Sequence, residues 1–117
     1  MAKLTIQVLD TSRGKPAAGV AVELYRLHED RRELLIRGLT SHEGRNHSPL
    51  LAEGTMLAGL YELDCHVGDY FATLGVTLPE PRFLDVISVR FGIADNSRDL
   101  HVPMLISPYG YSVASAR

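Results

Sequence analysis

Alternation of apolar and polar residues runs through most of the chain and predicts β-strands. In the segment 3–10, KLTIQVLD, aliphatic residues occupy every second position from Leu4, and the polar Thr5 and Gln7 lie between them. Clusters of Gly, Pro, Ser, Asp and Asn separate this segment from similar ones and predict turns. The same pattern predicts strands over 20–30, 33–41, 59–67, 83–94, 100–107 and 109–114, and a short strand or edge segment over 50–55.

The hydrophobic spacing changes once, and this change predicts a helix. Val67, Tyr70, Phe71 and Leu74 follow the i, i+3, i+4, i+7 pattern, and Gly75 is well placed as a C-terminal cap. The helix is therefore expected to have about two turns. Seven or eight short strands with turns at even intervals and one short helix are typical of an all-β sandwich rather than an α/β sheet.

Size, charge and cysteine content narrow the function classes. A chain of 117 residues predicts a single domain over 1–117. Its net charge is −2, with no lysine-rich patch and no arginine-rich helix, which argues against nucleic acid as a partner. No apolar run approaches the roughly 20 residues of a membrane span, and the N-terminus lacks a secretory h-region. The single Cys65 cannot form an intramolecular disulfide, so a cytoplasmic location is expected.

Few residues offer recognisable chemistry. The chain has five histidines but neither a CxxC nor an HExxH motif, so His42 and His47 predict a solvated turn, and no metal or cofactor is expected. Cys65 and His66 are neighbours in a predicted strand and point to opposite faces, which makes Cys65 a buried apolar residue. The sequence also lacks a GxSxG elbow and a P-loop.

The strand 100–107 contains the most informative polar residue. Its alternate residues form an aliphatic face, and His101 lies on the other face. If 3–10 and 100–107 belong to one sheet, Gln7 and His101 leave the core face together, beside the tyrosines of the YGY segment. Taken alone, His101 is more typical of a surface or interface position, and Arg45 is more typical of a solvated turn. The pattern by itself predicts a polar outer sheet and no particular reaction.

Longer segments carry a family resemblance. GKPAAGVAVELYRL followed by TSHEGR resembles prealbumin-like sandwiches in general. GLYELDCHVGDYFATLG, LPEPRFLDVISVRFGI and above all LHVPMLISPYGYS are similar to the transthyretin-related family, whose enzymes are 5-hydroxyisourate hydrolases. The resemblance runs from Leu4 to Ser112. It implies a transthyretin-like sandwich of two four-stranded sheets with one short helix, and a homotetramer (a dimer of dimers) whose outer sheets enclose a channel for a purine-derived substrate.

The resemblance also implies site residues, with two departures from the family pattern. Arg45 in HEGR and His101 in LHVPMLISP match the family's arginine and strand histidine, whereas Gln7 stands in QVLD where the family has HVLD. The family's YRGS tail is absent, and Ala114, Ser115, Ala116 and Arg117 occupy its places, with Arg117 too displaced to act as the tail arginine. The implied catalytic residues are His101, Arg45 and Gln7, and the implied substrate-binding residues are Arg45, Tyr111, Ser112, Ala114 and Ser115.

These departures favour a particular substrate. Gln7 can orient water or a carbonyl, but it cannot exchange a proton near neutral pH. Replacing the tail tyrosine by Ala114 removes bulk, which suits an N-methylated 5-hydroxyisourate. The alternatives are an ordinary 5-hydroxyisourate hydrolase and a transthyretin-like binding protein or pseudoenzyme without catalysis. A sandwich that serves as an adhesion module is a further alternative, but it does not account for the family-specific segment LHVPMLISPYGYS.

Overall fold

Two four-stranded sheets and one helix make up the part of the chain that the computed structural model describes, residues 2–116. Sheet A has the order β2-β1-β7-β8 and sheet B the order β4-β3-β5-β6; β1 and β7 are parallel, and all the other neighbours are antiparallel. The elements are β1 Leu4–Asp10, β2 Lys15–Pro16, β3 Ala21–Leu27, β4 Arg32–Leu39, β5 Gly59–Cys65, α1 Val67–Thr73, β6 Ile87–Ile93, β7 Leu100–Ser107 and β8 Gly110–Val113. The predicted all-β sandwich with one short helix is confirmed.

The core lies between the inner faces of the two sheets. Strand β1 alternates strictly between buried and half-buried residues, and Leu4 and Val8 are fully buried. Strand β7 repeats this alternation, so His101 and Pro103 leave the core face as Gln7 does. Each large aliphatic side chain removed from water contributes about 1.5–3 kcal/mol. This burial is what fixes which face of sheet A is turned outward, because a one-residue slip would expose every core residue.

Helix α1 covers one end of the sandwich. Val67 and Phe71 are buried, and the backbone of Gly75 adopts a left-handed φ of 85° just beyond the last turn, as the cap prediction requires. The hydroxyl of Tyr70 donates a hydrogen bond of 2.8 Å to Asp10, a carboxylate fully buried at the end of β1. The helix is thereby tied to sheet A. No helix in residues 2–116 has the length and apolar content that crossing a membrane requires.

Several predicted strands differ from the structure in their bounds. Strand β6 begins at Ile87 rather than at 83, because Arg82 pairs with Asp69 and Asp85, and the Asp85 carbonyl accepts from Gly68. These bonds hold 82–85 against the helix and away from β5. Of the two alternatives predicted for 50–55, the edge segment agrees with the structure: these residues form no strand, and Leu51 makes an isolated bridge to Leu4. The two-residue strand β2 was expected to be loop.

Candidate functional site

Side chains on the outer face of sheet A line up in three rows across β1, β7 and the chain that continues β8. Directly paired residues share a face, so the strand register decides the rows. The segment after β8 keeps this register, because Ala114 donates to the Pro103 carbonyl at 3.2 Å and Ala116 bridges to His101. The histidine row is Thr5, His101 and Ala116; the proline row is Gln7, Pro103 and Ala114; the leucine row is Leu9, Leu105 and Ser112.

His101 is held by both its ring and its backbone. Its Nδ1 lies 2.8 Å from the hydroxyl oxygen of Thr5, the residue directly opposite in the parallel ladder. Its backbone N–H donates to the Ala116 carbonyl at 3.0 Å, and its carbonyl accepts from the Ala116 N–H at 2.8 Å. The side chain is half-buried, and its Nε2 makes no hydrogen bond to any residue in 2–116. As far as the described part of the chain goes, that nitrogen is open to a ligand or a water molecule.

Arg45 reaches the same face on a tight turn. The Ser41 N–H donates to the Arg45 carbonyl at 2.7 Å, and the Gly44 N–H donates to the Ser41 carbonyl at 2.8 Å. The turn docks on β1 because the Gly44 carbonyl accepts from Val8 at 2.9 Å. Gly44 has a φ of 79°, and a Cβ there would collide with the Val8 carbonyl oxygen, so this position requires glycine. Arg45 thus belongs to a fixed turn.

Gln7 connects this turn to the sheet. Its side-chain amide donates to the Glu43 carbonyl at 3.3 Å, which leaves Oε1 as the atom available to accept a hydrogen bond. Beside it, an open cleft of about 200 Å³ is lined by Lys3, Thr5, Ile6, Arg45, Asn46, His47, Ser48 and Pro49. The exposed Arg45 guanidinium forms no ion pair within the described residues, so its charge is available to an anionic ligand.

The tail reaches the site through alternate residues. Ala114 lies beside Pro103, and Ala116 lies beside His101. Each alanine places only a methyl group on the outer face. Ser115, the next residue, alternates to the other face and lines an apolar cavity of about 230 Å³ at the sandwich edge, which Val102, Val113 and Ala114 also line. The prediction about Arg117 lies outside the described residues.

The structure brings together four of the predicted site residues and separates the others. His101, Gln7 and Ala114 belong to the histidine and proline rows, and Ser112 lies on the same face in the leucine row. Arg45 lines the cleft that Thr5 of the histidine row also lines. Tyr111 pairs with Ile106, which faces the core, and it lies half-exposed at the edge. Ser115 faces the edge cavity.

Two residues of the site were missed by sequence reasoning, Thr5 and Ala116. The sequence did contain a signal for Thr5: it is two residues from Gln7 in the same strand, so the two side chains share a face. What was lacking was the register that sets Thr5 opposite His101.

A second group of charges lies on the outer face of sheet B. Arg32 contacts Glu62 at 2.7 Å and Asp64 at 3.1 Å, and its guanidinium carbon lies 3.9 Å from the ring centroid of Tyr25. The hydrogen bond to Asp64 contributes most to a raised pKa of Arg32. Arg32, Glu62 and Arg90, which line the large open cavity beside this group, already have ion-pair partners. Within residues 2–116 no group of three or more His, Cys, Asp or Glu side chains is arranged to hold a metal ion.

Comparisons with known proteins agree with this fold. The HIUase/Transthyretin family model matches residues 4–114. The 5-hydroxyisourate hydrolase 2 of Rhizobium meliloti (strain 1021) is 49% identical over 110 residues, covering 94% of this chain and 92% of the relative. The 5-hydroxyisourate hydrolase of Halalkalibacterium halodurans is 51% identical over 111 residues, covering 94% of this chain and 93% of the relative.

Solved structures give the same result. The 5-hydroxyisourate hydrolase of Klebsiella pneumoniae superposes with a TM-score of 0.82 at 30% identity, over 100% of both chains. An (S)-allantoin synthase gives a TM-score of 0.93 at 35% identity, over 99% of this chain and 44% of that one. The predicted family and the predicted hydrolase class are confirmed. By its sequence from 4 to 114 and by its two-sheet fold, the chain belongs to the HIUase/Transthyretin family.

Proposed function

We propose that this chain hydrolyses the cyclic amide of a 5-hydroxyisourate ring, and that it prefers a ring carrying N-methyl groups. The observation that carries the proposal is the meeting of His101, Gln7 and the Arg45 turn on one outer face of sheet A. The names of the relatives supply the parent substrate. The departures at Gln7 and Ala114 supply the argument for the methylated one.

His101 acts as the proton-transferring group. Hydrolysis of a ring amide requires a water molecule to lose a proton as it attacks the carbonyl carbon, and requires the departing ring nitrogen to gain one. Imidazole can do both near neutral pH. The free Nε2 of His101 is directed away from its Thr5 contact, so it is the nitrogen that faces an incoming water. The proton taken there returns to the ring nitrogen when the C–N bond breaks.

Arg45 stabilises negative charge. The attack of water turns the carbonyl oxygen into an oxyanion, and ring opening leaves a carboxylate. A guanidinium is permanently charged and offers several N–H donors in one plane, which suits either group. The absence of an ion pair at Arg45 within residues 2–116 supports this role.

Gln7 orients water or substrate and transfers no proton. Its side-chain N–H donates to the Glu43 carbonyl, and Oε1 remains to accept a hydrogen from water or from a substrate hydroxyl. Proton transfer then falls to His101 alone. One proton-transferring residue is sufficient if the same imidazole gives up the proton that it has received.

The small side chains of the tail support the methylated substrate. Ala114 lies beside Pro103, so this part of the proline row presents carbon atoms and open space rather than hydrogen-bonding groups. A methyl group on a ring nitrogen removes an N–H donor and adds apolar area, and each buried methyl is worth about 0.8 kcal/mol. Such a surface leaves no polar protein group unpaired against the methyl.

The proposal extends to a homotetramer, a dimer of dimers. The site lies on an open sheet face, and a second copy facing it would supply the missing wall and exclude water. Exposed apolar side chains nearby favour such a contact: Leu105 is 42% exposed and Tyr109 is 59% exposed. Light scattering at assay concentrations should give four times the chain mass, whereas a monomer that is fully active would contradict this part.

A cytoplasmic location, a single domain over 1–117 and the lack of a nucleic-acid partner stay predictions. Fractionation of cells, limited proteolysis and a nucleic-acid binding assay would test them in turn.

A transthyretin-like binding protein without catalysis is the second candidate. The observation that favours it is Gln7, which removes one of the two proton-transferring side chains that the family resemblance implies. Retention of His101 with a free Nε2 favours the enzyme instead.

A steady-state assay with freshly generated 5-hydroxyisourate and its trimethyl derivative separates these functions. We expect ring opening of both to be accelerated over the uncatalysed rate, with the higher kcat/KM for the trimethyl ring. Preference for the parent ring would identify an ordinary 5-hydroxyisourate hydrolase. Binding of a urate analogue with no acceleration of either reaction would identify a binding protein.

A further inference from the structure

We infer that Thr5 is a positioning residue, which holds the His101 imidazole in the tautomer that carries its hydrogen on Nδ1 and leaves Nε2 unprotonated. This inference rests on the proposed hydrolase function and adds to it the residue that prepares the base. Thr5 belongs to β1 and His101 to β7, ninety-six positions apart in sequence.

The geometry of the pair leaves little freedom. The two residues are direct partners in the parallel ladder, and their side chains share the outer face. Thr5 Oγ1 lies 2.8 Å from His101 Nδ1, a normal hydrogen-bond length, in a partly buried position. Leu4 and Ile6 on either side of Thr5 are buried in the core, so the backbone beneath the hydroxyl is fixed. A β-branched side chain adds restriction at χ1.

The backbone of His101 is fixed as well. The two hydrogen bonds with Ala116 lock the peptide groups on either side of its Cα. The ring can therefore turn only about its own side-chain bonds, and the Thr5 hydroxyl is the one side-chain partner it has within residues 2–116. The contact with Thr5 consequently decides which ring nitrogen points toward the substrate.

A hydroxyl suits both stages of the reaction. It can accept a hydrogen from Nδ1–H, and in that tautomer Nε2 carries a lone pair. When Nε2 takes a proton from water, the resulting imidazolium still donates from Nδ1 to the same oxygen. The hydroxide formed adds to the carbonyl carbon; the Nε2 proton then passes to the ring nitrogen as the C–N bond breaks. Water is consumed, the imidazole is regenerated, and Thr5 exchanges no proton.

Thr5 also borders the Arg45 cleft, which Lys3 and His47 help to line. Gln7 cannot substitute for Thr5, because it is paired with Pro103 and its amide is directed to Glu43. The base, the residue that orients it and the cation are therefore contiguous along one side of β1.

The test compares Thr5→Val, which keeps the shape and β-branching but lacks the hydroxyl, with Thr5→Ser, which keeps the hydroxyl. We expect Thr5→Val to lower kcat about tenfold or more with KM changed by less than about twofold, and Thr5→Ser to restore most of the rate. Nitrogen-15 NMR of the neutral His101 ring should show the Nδ1–H tautomer in the wild type and a shift toward Nε2–H in Thr5→Val. Circular dichroism checks that each variant is folded, and Thr5→Ala replaces Thr5→Val if the latter is not.

The two readouts separate the inference from the proposed function. Unchanged kcat and an unchanged tautomer in Thr5→Val, in an active enzyme, would overturn the role of Thr5 and leave the hydrolase intact. A wild-type protein without activity on either ring would overturn the hydrolase. The tautomer comparison would still decide whether Thr5 orients His101.

Discussion

Ala116 lies directly opposite His101, and the two residues exchange a pair of backbone hydrogen bonds of 3.0 and 2.8 Å. Residues 114–116 therefore continue the register of β8 along β7, beside the catalytic candidate. The contact of Ala116 with His101 is made by backbone atoms, so it does not depend on which side chain stands at position 116.

Replacement of Ala116 by proline should lower kcat. Proline has no N–H, so the hydrogen bond to the His101 carbonyl is lost. The loss removes about 1 kcal/mol of the free energy that holds residue 116 against β7. We expect a five- to tenfold loss of kcat with little change in the midpoint of thermal unfolding. Ala116→Gly keeps the N–H and is the matched control; an equal loss in both variants would mean that the methyl group, rather than the bond, matters.

Replacement of His101 by alanine should abolish turnover. Removal of a positioned general base costs about 10²-fold or more in kcat. Substrate binding should survive, because Arg45 is held by a separate turn. Single-turnover rates and equilibrium binding of a urate analogue measure the two effects. An active His101→Ala protein would remove His101 from the mechanism.

The faces on which the site residues lie can be predicted from the alternation of apolar and polar residues alone. The alternation in 3–10 and 100–107 places Gln7 and His101 on the face opposite the core, and the structure agrees for both. The parallel pairing of these strands, which sets Thr5 rather than Gln7 opposite His101, depends on contacts between segments far apart in sequence. No local pattern encodes that register.

The errors in the fold have the same origin. Residues 83–86 are mostly apolar and directly precede the alternation of β6, yet the ion pairs of Arg82 with Asp69 and Asp85 hold this region against helix α1. Tertiary contacts override the local preference there. For the tail, periodicity predicts that Ala114 and Ser115 point to opposite faces. The sequence interpretation placed both in the substrate site.

Replacement of Gln7 by histidine should shift selectivity toward the unmethylated ring. A second imidazole restores a proton-transferring group on the first strand, and its ring nitrogens can pair with an N–H that the methylated substrate lacks. We expect the ratio of kcat/KM for the trimethyl ring to kcat/KM for the parent ring to fall about tenfold. Discrimination of this size is common between substrates that differ by one small group. Gln7→Glu keeps the length and an acceptor oxygen and is the control. An unchanged ratio in Gln7→His would exclude position 7 as a determinant of selectivity.

Cys65 should be unreactive in the folded protein. Burial raises the pKa of this thiol to about 12, and its Sγ packs 3.6 Å from the sulfur of Met104. The folded state thus holds the thiol proton more tightly than the unfolded state, whose thiol has its ordinary pKa near 9. Stability from this group is complete below about pH 9 and is lost as the pH rises toward 12.

Two measurements test this. Ellman's reagent at pH 8 should label the protein only in urea, and the urea midpoint should fall between pH 8 and pH 10 by more in the wild type than in Cys65→Ala. Rapid labelling of the native protein at pH 8 would contradict the burial argument.

Replacement of Ala114 by tyrosine should close the space proposed for the methyl groups. Ala114 lies beside Pro103 on the face that carries Gln7 and His101, so a tyrosine there would occupy the carbon surface of the proline row. We expect kcat/KM for the trimethyl ring to fall about tenfold or more, while that for the parent ring falls much less. Ser115→Tyr adds the same side chain one residue later, where it faces the edge cavity, and should leave the ratio unchanged. An equal fall of kcat/KM for both rings would mean that residue 114 limits substrate access in general and would contradict a role in selectivity. A fall of kcat/KM for the trimethyl ring alone would show that the small residue at 114 admits the methyl groups.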